Sequence, residues 1–234
     1  MSTLSTELAA EIAKTLRTPW VERDGQKVPA SDDIQLGNHA VKLNGTVLYA
    51  DLADSTKMVD GHKNWFAAEI YKSFLFSAAK IIRARGGTIT SYDGDRVMAV
   101  FIGESKNTQA ARCGLQIQYV VREILEPAIL KRHEDIVYRP RHVVGIDTSS
   151  LYVARTGIRG SNDLVWVGRA ANYAAKMSAL SDKFSTYISE DVYMDLNDSA
   201  KFGGEPQREM WTKQISSNLG LGIAYYGSSW QSSP

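Results

Sequence analysis

The sequence predicts an α+β domain in which helices pack against one mixed β-sheet. Three observations predict it. Apolar residues recur at helical spacing over residues 64–85 and 108–125. β-forming residues fill residues 47–52, 86–101 and 138–148, bounded by Gly, Asp and Pro. These segments alternate as strand, helix, strand, strand, helix, strand, which suits a ferredoxin-like sandwich. With 234 residues and 44% hydrophobic content, the chain has enough material for one core. The expected division is an N-terminal helix and connection over 1–43, then one domain over 44–234.

In chain order, Leu4, Leu8, Ile12 and Leu16 recur every fourth residue, so residues 3–17 read as a short amphipathic helix expected to pack on the domain. Pro19 and the polar stretch 21–38 read as an irregular connection. Residues 47–52 read as a buried strand running into a tight turn at Ala53, Asp54, Ser55 and Thr56. Phe66, Ile70, Phe74, Ala78 and Ile81 mark one helix face, and Gly86-Gly87 ends that helix. Asp93-Gly94 is a strong hairpin signal, with Asp95 opening the second strand. Ala110, Cys113, Ile117, Val120 and Ile124 should face inward from a helix over 108–125. A strand over 138–148 continues after a turn into 151–154, and another runs over 164–167. Gly168 allows a sharp turn into a helix carrying Asn172 and Lys176, four apart and so on one face. Ser189 starts a short helix, and residues 223–230 look like a closing strand.

Two segments carry chemistry. Tyr49 and Asp51 share a strand face by the period of two, which places a carboxylate at the end of an apolar strand. Such a carboxylate is costly unless something pairs with it. The following turn offers backbone N–H groups that can hold phosphate oxygens. Asp95 arrives from the hairpin. Two carboxylates from adjacent strands can hold Mg²⁺ or Mn²⁺, which prefer oxygen ligands, and a pair of such ions suits in-line attack at phosphorus.

Several function classes are excluded. A net charge of +1 argues against bulk nucleic-acid or membrane binding. The single Cys113 rules out a disulfide framework and fits a reducing cytosol. No apolar run is long enough to span a bilayer, and Glu7 and Glu11 interrupt any signal-peptide pattern. A cytoplasmic location is expected. The chain has no Gly-x-x-x-x-Gly-Lys-Ser/Thr loop and no Gly-Gly-Asp-Glu-Phe signature. His39, His62, His133 and His142 lack metal-ligand spacing.

The chain resembles class III nucleotidyl cyclase catalytic domains. Tyr49, Asp51, Leu52, Ser55 and Thr56 match that family's first metal strand and turn, and Gly94 and Asp95 match its hairpin. The two aspartates are 44 positions apart (95 − 51), the usual separation for the family. Val167, Gly168, Asn172, Ala174, Lys176 and Met177 match its transition-state helix. The resemblance implies two divalent cations, Mn²⁺ or Mg²⁺, held by Asp51, Asp95 and the Leu52 carbonyl. It implies phosphate contacts from Ala53, Asp54, Ser55, Thr56 and Arg159, with Asn172 and Lys176 as catalytic residues. It also implies a homodimer that builds each active site from two protomers. Lys176 stands where the family has an arginine, so a point charge replaces a bidentate fork.

Base contacts differ most. Adenylate cyclases carry Lys and Asp, and guanylate cyclases tend to carry Glu and Cys, where this chain has Ser91 and Val165. With Tyr49 and Arg96 these suggest a smaller base, a pyrimidine. Tyr49, the Asp-Gly-Asp-Arg hairpin and the aromatic tail at Tyr225, Tyr226 and Trp230 resemble the stand-alone pyrimidine cyclases of Pycsar anti-phage defence. That resemblance implies conversion of UTP to 3′,5′-cyclic UMP and pyrophosphate, with a separately encoded effector reading the product. The alternatives are a cytidylate cyclase, a purine cyclase with altered base contacts, and a non-catalytic nucleotide-binding regulator on the same fold.

Overall fold

The computed structural model describes residues 3–181, 183–215 and 224–234. Two compact units emerge. The smaller comprises residues 1–44 and 150–168, and the larger residues 45–149 and 169–234.

In the larger unit the strand order is β10-β11-β7-β5-β2-β4-β3. The strands are β2 (His39–Leu52), β3 (Thr88–Asp93), β4 (Arg96–Phe101), β5 (His142–Ile158), β7 (Thr186–Ser189), β10 (Thr212–Gln214) and β11 (Tyr225–Ser228). β2 pairs antiparallel with β4, and β5 pairs parallel with β7, so the sheet is mixed. α3 (Asn64–Ala84) buries Phe66, Ile70, Phe74, Ala78 and Ile81 in the core with Leu48, Val97 and Ile117. Gly86, at φ +80°, follows its C-terminal cap. α6 (Arg169–Ser178) lies tight on β5, since a Cβ on Gly145 would stand 2.1 Å from the Ala174 carbonyl oxygen.

The second long helix is not one piece. α4 (Lys106–Tyr119) passes into a π-helical turn, Val120–Leu125, and then α5 (Glu126–Arg132). Pro127 explains the break, because it lacks an N–H and crowds the carbonyl one turn earlier. Ile124, expected inward, is exposed as a result. β5 begins at His142 rather than at 138 and runs on through the turn expected near 149–150. Asp95 lies in the hairpin turn itself, with Gly94 at φ +60° beside it. Ser189 caps α7 (Glu190–Met194), as its position suggested. The closing strand is Tyr225–Ser228, and Ile223 lies outside the described residues. The short pair β8 (Phe202–Gly203) and β9 (Arg208–Glu209) follows α8 (Asp198–Lys201).

In the smaller unit α1 (Thr3–Arg17) forms where its spacing predicts. Its apolar stripe, expected to be covered, is bare: no residue of the helix is buried. Polar bonds hold its C-terminal end, where the Asn38 amide donates to the Thr15 and Thr18 carbonyls at 2.8 and 2.6 Å. Residues 21–38 are not wholly irregular. β1 (Val21–Asp24) pairs parallel with β2 from His39 to Lys42. β2 therefore starts eight residues before Val47, with Val41 and Leu43 buried and Lys42 and Asn44 exposed. β6 (Ser161–Val167) pairs antiparallel with β5 from Tyr152 to Ile158.

Candidate active site

The register of β2 and β4 brings the two aspartates together. Ala50 pairs with Val97, so Asp51, the next residue and the last but one of β2, lies beside the start of β4, where Asp95 sits in the turn. Burial, then the charge of Asp95, pushes the Asp51 carboxyl up to about 6. Asp95 Oδ2 is buried and has no hydrogen-bond partner among the described residues. Two clustered carboxylates, one with an orphaned oxygen, form a site short of positive charge. The donor set fits Mg²⁺ or Mn²⁺, which take carboxylate and carbonyl oxygens. Among the described residues no group of three or more His, Cys, Asp or Glu side chains could hold a metal, so backbone, water or substrate oxygens must complete any shell here.

The turn after Asp51 is more committed than its sequence suggests. Asp54 adopts a left-handed conformation, φ 56°, and precedes α2 (Ser55–Gly61). Its carboxylate pairs with Lys57 at 2.7 Å and with Arg141. These cations hold it below the usual carboxylate range, Lys57 first. The Ala53 N–H donates to the Arg141 carbonyl at 2.9 Å. Asp54 is thus spoken for by cations and the Ala53 amide by a carbonyl, while Ser55 and Thr56 open the helix.

The base-side candidates form a row across three strands. Tyr49 pairs with Met98, and Met98 with Ser91, after a bulge between Ile89 and Ser91. Arg96 lies over the Tyr49 ring at 5.3 Å and pairs with Asp93 at 2.8 Å. The guanidinium is therefore oriented before any substrate arrives.

Asn172 and Lys176 are both exposed on α6. Residues the sequence did not flag fix that helix. Arg169 bonds the fully buried Asp147 at 3.1 and 3.2 Å, the Thr148 carbonyl at 2.8 Å, and Asp191. The Ala170 N–H donates to Ser149 Oγ at 3.0 Å. Lys176 Nζ stands 5.9 Å from the centre of the Tyr173 ring. Arg159 and Val165 belong to the smaller unit, where both are exposed and line a cavity with Glu7 and Glu11 of α1. Sequence reading also missed Arg141. Its signal was a basic residue at the mouth of an apolar strand.

No family model matches the chain. It is 52% identical over 213 residues to a uridylate cyclase of Xanthomonas perforans, covering 91% of this chain and 90% of that one. It is 49% identical over 231 residues to a uridylate cyclase of Burkholderia cepacia, covering 97% and 98%. The chain belongs to the uridylate cyclase family. The fold is that of class III nucleotidyl cyclases: the guanylyl cyclase Cya2 superposes with a TM-score of 0.66 at 18% identity, over 82% of this chain and 95% of that one. The motif resemblance and the α+β fold class are both borne out. Among the described residues no helix is long and apolar enough to cross a membrane.

Proposed function

We propose that this chain cyclises UTP to 3′,5′-cyclic UMP and pyrophosphate. One observation carries the reading: the under-neutralised Asp51–Asp95 pair, with its orphaned Oδ2, in a chain about half identical to uridylate cyclases. Asp51, Asp95 and the Leu52 carbonyl would hold the divalent cations. Bound there, such cations supply charge neutralisation at the phosphates and acidify the ribose 3′-hydroxyl. Tyr49, Ser91 and Arg96 receive the base. Arg96, held by Asp93 and the Tyr49 ring, offers a fixed donor to the O4 carbonyl of uracil, where cytosine would present an amino group. Leaving such a donor unpaired costs on the order of 1–3 kcal/mol, which favours UTP over CTP. The Ser55 and Thr56 amides contact phosphate. Asn172 orients the ribose, and Lys176 stabilises charge on the transferring phosphate.

The exposure of Asn172 and Lys176 on α6 supports a homodimer in which these two side chains complete the partner's site. A product of this kind suits a second messenger for anti-phage defence, read by a separately encoded effector. The test is to incubate the protein with ATP, GTP, CTP or UTP and Mn²⁺ and identify products by mass spectrometry. Cyclic UMP should dominate. Faster cyclisation of either purine triphosphate at equal concentration overturns the assignment.

A further inference from the structure

The buried polar atoms that lack a partner among the described residues include Asp95 Oδ2 and the Tyr138 hydroxyl. The first has a use in the reading above. The second does not, and it belongs to the same cluster. Tyr138 feels the charges of Tyr71 on α3 and of Arg141, Asp54 and Asp95, the last three of which surround the turn into α2. Its ring is braced edge-on by two aromatic neighbours. Phe66 lies at 5.6 Å and 89°, and His62 at 5.8 Å and 78°. Neither ring offers the hydroxyl an acceptor in these edge-on contacts. A buried hydroxyl without a partner is costly, and here its ring is fixed in place by packing.

We propose that Tyr138 is a further substrate-contacting residue, its hydroxyl donating a hydrogen bond to a phosphate oxygen of the bound nucleoside triphosphate. The polarity follows from the surroundings. Burial first, then Tyr71 and the carboxylates of Asp54 and Asp95 against the opposing charge of Arg141, push the phenol up to about 12, so it stays protonated and acts as a donor at neutral pH. An anionic oxygen is the acceptor that a neutral donor beside the Arg141 cation and the opening turn of α2 would meet. This role rests on the nucleotide-cyclising reading but not on the identity of the base, since every triphosphate carries the same chain of phosphates.

Tyr138→Phe removes one oxygen and keeps the ring packing, so a purely structural role predicts no effect on binding. Binding of 3′-deoxy-UTP, which lacks the attacking hydroxyl, is measured by calorimetry with Mg²⁺ for wild type and variant. Turnover of UTP and melting without ligand are measured alongside. The proposal expects Kd to weaken about tenfold, the scale of a lost charge-assisted bond. It also expects kcat/KM to fall at least as far, and the ligand-free melting temperature to stay level or rise. Binding and kcat/KM within twofold of wild type overturn it. So does a variant that melts several degrees lower, because the hydroxyl then has a partner within the fold. If wild type prefers another 3′-deoxy triphosphate, the base assignment fails and the same comparison is made with that nucleotide. If wild type binds none, both readings fail.

Discussion

α1 and α3 carry the same kind of signal and meet opposite fates. In α3 the apolar face is covered: Phe66 is 0% exposed and Phe74 1%. In α1 the stripe is bare, with Leu8 53% exposed and Leu16 81%. Periodicity says which side of a helix is apolar. It does not say whether anything lies against that side. α3 has Leu48, Val97 and Ile117 to pack on, from elements that the chain brings back to it. α1 is held by polar bonds to Asn38 at one end. The candidate active site shows the reverse case, a carboxylate oxygen buried without a partner among the described residues. Burial alone is therefore not a measure of stabilisation, and the contrast can be pressed experimentally.

The largest effect is expected where burial serves chemistry. Asp95→Ala should lower turnover by at least about 10³-fold, the scale of losing a group that organises the transition state. Its urea midpoint should match or exceed that of wild type, because an unpaired buried carboxylate oxygen is removed. Near-normal turnover would show that Asp95 is not a metal ligand. The opposite balance is expected in α3. Phe74→Ala should cost about 3–5 kcal/mol in denaturant unfolding, from lost transfer energy plus a cavity. A loss under about 1 kcal/mol would mean the helix face is far less tightly packed than its burial indicates.

The proposed sharing of each site between two protomers gives a third, smaller signal. Asp51→Ala and Asn172→Ala should each be nearly inactive. After random subunit exchange between them, half the dimers are mixed, and each mixed dimer holds one intact site. Activity should return to roughly a quarter of wild type. If tagged subunits show exchange and the mixture stays inactive, each site lies within one chain.

The pH dependence is subtler. The Asp51 carboxyl rises to about 6 from an ordinary value of 3.8, so in metal-free protein the folded state binds the proton more tightly than the unfolded chain. Between these values the folded state carries more protons. Its stability must therefore fall as pH rises through that window, and be recovered as pH drops from 7 toward 4. The readout is the difference between wild type and Asp51→Asn in melting temperature against pH, which isolates this group. Equal slopes would mean that burial and the charge of Asp95 do not raise the Asp51 carboxyl. The smallest effect is expected on α1, where Leu8→Ala should change stability by no more than about 0.5 kcal/mol, as at an exposed position. A larger loss, especially one that grows with protein concentration, would show that a partner covers the stripe.

Much of the site was legible because its information is local. Asp51 at a strand end, the turn at 53–56 and the Asp93-Gly94 hairpin are each encoded within a few residues, where turn chemistry and the two-residue period act. The 44-position separation of the aspartates then linked two such segments. α3 and α6 were legible for the same reason, through spacing on one helix face.

What stayed hidden depends on residues far apart in the chain. The start of β2 at His39 follows from pairing with β1, which no local pattern announced. Asp147 and Arg169 read separately as a polar strand residue and a basic one, and only the close packing of α6 on Gly145 makes them an ion pair. Arg141 reaches Asp54 across 87 positions. The Tyr138 hydroxyl lacks a partner among the described residues because of what the fold places around it. The sequence by itself determined the family, the carboxylate pair and the helix carrying Asn172 and Lys176, since propensity, turn type and motif spacing are short-range properties. Tertiary structure alone decided which apolar face is covered, which amides and cations are already engaged, and which buried polar atoms lack a partner among the described residues. Those depend on free energies of burial and pairing, which exist only once distant segments meet.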